Sequence, residues 1–138
     1  MKVVIDTNVL IAAFATQGLC HALVELCIDQ HEIQLSPDIL KEVAAALQKK
    51  LKVPPEVVKD TADYLTNHAT LHKRSRLERP RSRDPSDDHI LALAERSLAD
   101  YIITGDEDLL ILKEHKGVPI VLPRRFWEIL KGQASKID

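Results

Sequence analysis

Two acidic residues stand at the ends of predicted strands, where their carboxylates could meet. Asp6 ends the apolar run Val3–Ile5, and Asp106 follows the apolar run Tyr101–Thr104 after one glycine. Short β-branched runs of this kind predict strands that are buried on both faces of a parallel sheet. Because the carboxyl ends of parallel strands share one edge, we expect Asp6 and Asp106 to be neighbours where such sheets hold ligands.

Two further acids, Glu42 and Asp88, lie near the starts of predicted helices. The pair Ser36-Pro37 predicts a helix start, with serine as the cap and proline in the first position, and it places Glu42 in the second turn. The pair Asp84-Pro85 predicts a second start of the same kind, and it places Asp88 in the first turn. Four carboxylates could therefore converge on one cleft.

Carboxylates that share a cleft repel one another and raise each other's pKa unless a cation neutralises them. Oxygen ligands favour Mg²⁺ or Mn²⁺, and the six histidines and two cysteines show no zinc spacing. A metal of this kind lowers the pKa of an attacking water and offsets charge during hydrolysis of a phosphodiester bond. We expect Asp87 and Asp108 to support this site.

Each acid also has an ordinary structural interpretation. Asp84, Asp87 and Asp88 could all serve as helix caps or complement a helix dipole. Glu42 alone is typical of a solvated helix surface, and Asp106 alone is typical of a turn. The joint arrangement, rather than any single residue, supports the prediction of a metal site.

The elements that must position these acids alternate between strands and helices, which predicts an α/β domain spanning residues 1–138 with a mainly parallel sheet of about five strands. The predicted strands are Lys2–Asp6, Glu32–Leu35, Thr70–His72, Tyr101–Thr104 and Pro119–Leu122. The predicted helices are Asn8–Ala15, Leu19–Gln30, Pro37–Lys50, Pro55–Asn67, Pro85–Leu98, Asp108–Lys113 and Pro123–Leu130.

The composition limits the classes of protein to consider. The chain of 138 residues is 45% apolar and 29% charged, with a formal net charge of -2, so nucleic-acid binding would depend on local patches. It has no run of 18 apolar residues and no signal-peptide pattern at the N-terminus, so we expect no membrane contact and a cytoplasmic location. Cys20 and Cys27 lie in an apolar helical stretch and are expected to be core residues.

Taken together, five segments of the chain resemble the PIN-domain family. Val4–Leu10 resembles its opening motif, Ser36–Val43 its glutamate segment and Asp84–Ala94 its third-acid helix. Tyr101–Leu109 resembles its fourth-acid motif, and Gly117–Val121 its closing strand. The similarity spans nearly the whole chain in the right order. It is nearest to the bacterial and archaeal branch described as toxin components of toxin–antitoxin pairs, related to VapC.

The resemblance implies a three-layer α/β/α fold and an endoribonuclease that depends on Mg²⁺ or Mn²⁺. Asp6, Asp88 and Asp106 carry over as metal ligands. These three residues and Glu42 carry over as the catalytic acids. Glu42 would act through water or position the nucleophile. A homodimer and an antitoxin are the partners that the resemblance implies.

The resemblance also implies which residues support the acids. Asn8 and Thr104 carry over as polar groups that orient them. The adjacent pair Asp87-Asp88 leaves the register of the third acid open, and Asp88 is preferred because the apolar helix pattern starts after it. Asp108 could substitute for Asp106 or assist it.

A polar segment, residues 73–86, carries most of the local positive charge. Charge runs usually lie on solvated surface, which is one interpretation. The other is a strip that contacts phosphates beside the third acid and holds RNA near an otherwise repulsive cleft. The arginines expected to bind RNA in this second interpretation are Arg76, Arg79, Arg81 and Arg83.

Two other functions remain as alternatives. A phosphatase of the haloacid dehalogenase type also begins with an aspartate after its first strand, but it needs a second aspartate where this chain has Asn8. A non-catalytic PIN-like module that binds RNA or an antitoxin is the other alternative. A missing acid would favour the module, and none is missing.

Overall fold

A computed structural model describes residues 1–132 as a six-stranded sheet with helices on both sides. The strands lie in the order β3-β2-β1-β4-β6-β5. All neighbouring pairs are parallel except β5 and β6, which are antiparallel. The strands are β1 (Lys2–Ile5), β2 (Glu32–Leu35), β3 (Ala69–Leu71), β4 (Tyr101–Ile103), β5 (Glu114–His115) and β6 (Val118–Val121).

Seven helices within this range connect the strands and complete the three layers, as predicted from the sequence. The helices are α1 (Thr7–Ala15), α2 (Leu19–Gln30), α3 (Pro37–Lys49), α4 (Pro55–Asn67), α5 (Asp88–Ser97), α6 (Glu107–Leu110) and α7 (Pro123–Leu130). The prediction of an α/β fold with a mainly parallel sheet is confirmed. The assignment of all residues 1–138 to one domain stays a prediction, because residues 133–138 lie outside the described range.

The sheet has one strand more than the sequence indicated. β5 has only two residues and forms a hairpin with β6 through Lys116 and Gly117, whose φ angles are 48° and 84°. Two successive residues with positive φ are the geometry of the tightest hairpin turn. A strand of two residues shows no period that a sequence pattern could reveal.

The centre of the sheet supplies the rigid base for the site. Val3, Val4 and Ile5 of β1 are at most 1% exposed, and so are Ile102 and Ile103 of β4. Helix α5 packs against both strands. Since β1 is buried on both faces, the chain that leaves its carboxyl end has little freedom to move.

Within residues 1–132, no single helix has the length and apolar composition needed to cross a membrane. Helices α1 and α2 pass that test only as a pair, which is bent by 106°.

Candidate active site

Asp6 and Thr104 meet at the carboxyl edge of the two central strands. Ile5 of β1 lies beside Ile103 of β4, so the residues that follow them come together. The hydroxyl of Thr104 donates a hydrogen bond to Asp6 Oδ2 at 2.7 Å. Asp6 also caps helix α1, where its Oδ1 accepts the N–H of Thr7 at 2.7 Å. Both oxygens of this buried carboxylate are therefore held in place.

Asp106 is tied to the same point through Thr104. Its backbone N–H donates to the Thr104 hydroxyl oxygen at 3.0 Å, so one buried threonine contacts both acids. Asp106 also caps the short helix α6, where its Oδ1 accepts the N–H of Asp108 at 2.8 Å. The structure thus brings together Asp6 and Asp106, as their positions after parallel strands predicted.

Glu42 enters from helix α3, and two side chains hold its carboxylate. The Thr7 hydroxyl donates to Glu42 Oε1 at 2.6 Å. The Nε2 atom of His89 lies 3.0 Å from Glu42 Oε2. The helix starts where Ser36 caps it and accepts the N–H of Ile39 at 3.2 Å, which sets the face that Glu42 occupies.

The structure corrects the position of the third acid: Asp87, not Asp88, lines the cavity with the other acids. Residues Pro85–Asp87 form a 3₁₀ turn before helix α5, with Asp84 as its cap. A 3₁₀ turn has three residues per turn instead of 3.6, so it changes the direction in which the following side chains point. A prediction that continued the α-helical period back to Asp84 could not include this change.

Asp88 instead holds the loop that precedes its helix. Its carboxylate accepts the backbone N–H of Ser82 at 2.9 Å and that of Arg81 at 3.3 Å. This acid therefore has the structural role that the sequence left open as an alternative. A metal-ligand role for Asp88 does not fit its position, because its carboxylate binds the loop N–H groups and the residue lines a different cavity from that of Asp6.

The converging acids surround a cavity of about 320 Å³, which we call the acidic cavity. Besides the acids, its lining includes two basic residues at the end of helix α3, Lys49 and the C-cap residue Lys50. The full lining is Asp6, Thr7, Asn8, Glu42, Ala45, Ala46, Lys49, Lys50, Asp87, His89 and Asp106.

The environment of Asp6 disfavours its charge. Burial raises the pKa of Asp6, and the nearby charges of Asp106 and Glu42 raise it further. The hydrogen bonds from Thr104 and Thr7 act in the opposite direction but do not outweigh these effects. The carboxylate is thus held in one orientation while its negative charge lacks a counter-charge, which is the situation that a bound cation relieves.

Asp87 shows the same effect more strongly. Its pKa is raised from 3.8 to about 7, first by burial, then by the Asp106 carboxylate and by the charges of Asp84 and Asp6. Its Oδ2 atom is buried and has no hydrogen-bond partner among the described residues. A water or a bound cation could satisfy a buried carboxylate oxygen in this position.

The pKa values of Glu42 and His89 are shifted in opposite directions, that of Glu42 downward and that of His89 upward. Burial alone would raise the pKa of Glu42, but the hydrogen bonds from His89 and Thr7 and the charge of His89 hold it below its usual value. Burial alone would lower the pKa of His89, but Glu42, Asp38 and Asp6 raise it. Each member of the pair therefore favours the charged form of the other.

The donors in the acidic cavity fit Mg²⁺ or Mn²⁺. All of the acids offer oxygen ligands, and Mg²⁺ usually takes one or two carboxylates and keeps several waters. Among the described residues, three acids bring one carboxylate oxygen each within 4.8 Å of one another: Asp84, Asp87 and Asp108. Asp87 belongs to this group and to the acidic cavity, which places further negative charge beside the cavity.

The predicted supporting residues have different positions. Thr104 contacts Asp6 directly, whereas the exposed Asn8 lines the cavity without a hydrogen bond to any acid among the described residues. Thr7, which was not predicted as a supporting residue, contacts Glu42. Asp108 pairs with Arg83 at 2.7 Å and does not line the acidic cavity.

Sequence reasoning missed Thr7 and His89, the two residues that hold the Glu42 carboxylate in place. Thr7 was visible because it directly follows Asp6, although a threonine there also suits a helix cap. His89 follows the two adjacent acids, but a single histidine carries no spacing signal. Its link to Glu42 spans 47 positions and depends on how α3 and α5 pack.

The four arginines expected to bind RNA fall into two groups. Arg81 contacts the buried His115 through its guanidinium, and Arg83 pairs with Asp108. Arg76 and Arg79 are exposed and have no hydrogen bond or ion pair with the described residues. Only the second group is free to contact a phosphate without losing an existing partner.

Two solved structures share this fold. VapBC2 from Rickettsia felis, bound to a DNA fragment from their promoter, has 16% identity and a TM-score of 0.63, and the match covers 88% of this chain and 98% of that chain. The sarcin–ricin loop cleaving toxin VapC20 from Mycobacterium tuberculosis has 14% identity and a TM-score of 0.58, and the match covers 85% of this chain and 98% of that one. At such low identity the likeness shows the fold.

A comparison with curated proteins gave no significant match. A comparison with family models matched residues 2–108 to the PIN domain. That range holds each of the four acids of the acidic cavity, together with Thr7, His89 and Thr104, which hold them. The fold, the sheet edge where the acids meet and the family model agree: this chain belongs to the PIN-domain family.

Proposed function

We propose that the protein is an endoribonuclease that uses Mg²⁺ or Mn²⁺ to hydrolyse RNA phosphodiester bonds in the acidic cavity. The observation that carries the proposal is the convergence of Asp6, Glu42, Asp87 and Asp106 on one cavity at the carboxyl edge of the sheet. Four acids from four separate parts of the chain meet there. Asp6 and Asp106 cap α1 and α6 with their side chains, but Glu42 caps no helix, and Asp87, at the N-cap position of α5, makes no capping hydrogen bond. Structural capping does not explain this arrangement.

In this mechanism, Asp6, Asp87 and Asp106 would hold the metal. A bound Mg²⁺ or Mn²⁺ lowers the pKa of the attacking water and offsets negative charge at the phosphate. Thr104 orients the Asp6 carboxylate through one hydrogen bond and holds the backbone of Asp106 through the other.

Glu42 accepts a hydrogen bond from the attacking water in the proposed mechanism. Its lowered pKa keeps it ionised near neutral pH, and each of its oxygens retains a lone pair besides those used by Thr7 and His89. His89 and Thr7 orient Glu42 and do not touch the reacting atoms. Lys49 and Lys50 add positive charge at the cavity for the phosphates of the substrate.

The biological role that we propose is the toxin of a toxin–antitoxin pair. The support is the shared fold with VapBC2 of Rickettsia felis and with VapC20 of Mycobacterium tuberculosis, which is described as a sarcin–ricin loop cleaving toxin. An antitoxin protein, a homodimer and a cytoplasmic location belong to the same proposal. Expression of the wild type should stop cell growth, and expression of Asp6→Asn should not.

The test of the enzymatic proposal is a cleavage assay with purified protein. Wild type should cut single-stranded or structured RNA in Mg²⁺ or Mn²⁺ and be inactive in EDTA. Asp6→Asn removes one charged ligand. Its amide oxygen can still accept the Thr7 N–H, and its NH₂ group can donate to the Thr104 hydroxyl oxygen, so the variant should fold and lack activity. Cleavage by Asp6→Asn at the wild-type rate would refute the proposed site, and RNA binding without cleavage would favour the non-catalytic module.

A further inference from the structure

A second cavity lies next to the acidic cavity, and the proposed mechanism does not use it. It encloses about 310 Å³ and lies between the segment 73–80 and helices α3 and α5. We call it the arginine pocket, after Arg74 and Arg76, which line it with the apolar side chains of Leu77, Pro80 and Pro85. Its volume is at the lower end of the range of about 300 to 1,000 Å³ that is typical of small-ligand sites.

His89 separates the two cavities. This half-buried residue lines the acidic cavity, where its Nε2 contacts Glu42, and it also lines the arginine pocket. The adjacent acids Asp87 and Asp88 divide in the same way, one to each cavity. The two cavities are therefore neighbours with His89 between them, so an RNA strand with its scissile bond in the acidic cavity could extend past His89 into the arginine pocket.

Of the two arginines that line the arginine pocket, Arg76 has no charged partner among the described residues and is available to bind an anion. Arg74 pairs with Asp38 at 2.5 Å, and Asp88 is satisfied by the backbone N–H groups of Arg81 and Ser82. Arg76 is exposed and has no partner among the described residues. A phosphate bound there would gain a charge-assisted contact without breaking an existing one.

The lining also suits a base. Leu77, Pro80 and Pro85 offer apolar surface, and a guanidinium plane such as that of Arg76 is a common stacking partner for an unstacked base. The pocket has room for a small unit of a single strand but not for a duplex.

We propose that the arginine pocket is a subsite for single-stranded RNA. It holds the nucleotide next to the scissile bond, and Arg76 contacts the phosphate of that nucleotide. The inference rests on the proposed ribonuclease function. It adds that the nucleotide next to the scissile bond lies in the arginine pocket, on the His89 side of the acidic cavity.

Arg79 provides a matched control. It lies three residues from Arg76 in the same segment, is exposed and has no partner among the described residues. It lines a different cavity, whose lining includes neither His89 nor any of the four acids of the acidic cavity. Arg76→Ala and Arg79→Ala therefore change the net charge equally. A general attraction between RNA and the basic segment would make the two substitutions equivalent.

The probe is tetrauridylate, and its binding is measured by calorimetry with the Asp6→Asn protein in Mg²⁺ at several salt concentrations. Arg76→Ala in this background should weaken binding about tenfold, the loss expected for one charge-assisted contact. It should also lower the slope of log affinity against log salt by about 0.7, the value for one phosphate of a single strand. Arg79→Ala should change neither quantity.

Backbone amide shifts of Ser75 and Ala92 locate the bound strand, because both residues line the arginine pocket and carry no charge. Tetrauridylate should shift both amides.

Equal losses in the two arginine variants, no loss in either, or unshifted amides would each overturn the subsite. If the binding pattern holds but the wild type cuts no RNA, the ribonuclease function fails and the pocket remains an RNA site. If the wild type cuts RNA and the pattern fails, only the subsite is wrong.

Discussion

The substitutions Asp87→Asn and Asp88→Asn test the corrected register directly. The two residues are adjacent, and both substitutions remove one negative charge with little change in shape. Asp87 lies in the acidic cavity with a raised pKa, whereas Asp88 accepts backbone N–H groups from the preceding loop. The two variants should therefore change stability in opposite directions.

The magnitude for Asp87 follows from its pKa. A change from 3.8 to about 7 gives an upper limit of about 4 kcal/mol for the cost of ionising this group in the folded state. Solvent screening of a partly exposed carboxylate reduces this to about 1–2 kcal/mol. For a domain of this size, we expect Asp87→Asn to raise the metal-free melting temperature at pH 8 by about 3–8 °C.

The sign of the pH dependence follows from the same shift. Between pH 3.8 and about 7 the folded protein binds a proton at Asp87 that the unfolded chain has lost, so wild-type stability falls as the pH rises through this range. The advantage of Asp87→Asn should be largest at pH 8, less than half as large at pH 5, and absent near pH 4.

Asp88→Asn should instead lower the melting temperature at pH 8, because it weakens charged hydrogen bonds to Ser82 and Arg81, a loss of about 1 kcal/mol. It should keep metal-dependent cleavage, and Asp87→Asn should lose it. Thermal unfolding in EDTA and RNA cleavage in Mg²⁺ measure both properties. Loss of activity in Asp88→Asn with full activity in Asp87→Asn would refute the assignment.

Three other predictions concern the groups around the metal site. Thr104→Val leaves Asp6 Oδ2 without its donor, so unfolding in EDTA should show a loss of about 1–3 kcal/mol that Thr104→Ser largely restores. His89→Ala removes contacts that lower the pKa of Glu42, so the acidic limb of the pH–rate profile should move to higher pH. An acidic limb at the wild-type pH would contradict this. Because the metal must displace a proton from Asp87, calorimetry should show Mg²⁺ affinity falling up to about tenfold per pH unit below 7, and equal affinity at pH 6 and 8 would contradict this.

The sequence predicted the parts of this fold that local patterns determine. Helix α2 was predicted with the bounds that the structure shows, Leu19–Gln30, because its apolar period is clear and a glycine precedes it. The start of α3 was predicted from the Ser36-Pro37 pair, and Ser36 does cap it. Asp6 was placed at a strand end because a fully apolar run leads into it.

Features that depend on contacts across the fold were not predicted. Asp6 itself caps α1, which starts one residue before the predicted helix Asn8–Ala15, because its carboxylate lies between the Thr7 N–H and Thr104 at the end of β4. The 3₁₀ turn before α5 exchanges the roles of Asp87 and Asp88, and no residue type in that turn distinguishes it from an α-helical start. Side-chain contacts that span tens of residues follow only from packing.

The most direct test of the central claim is one titration with Mn²⁺. Mn²⁺ binding, followed by electron paramagnetic resonance, and RNA cleavage are measured on the same samples of wild type and Asp6→Asn. Metal binding and cleavage by the wild type should rise together, and Asp6→Asn should lose both. Cleavage that persists in EDTA, or full activity in Asp6→Asn, would contradict a metal-dependent ribonuclease centred on Asp6.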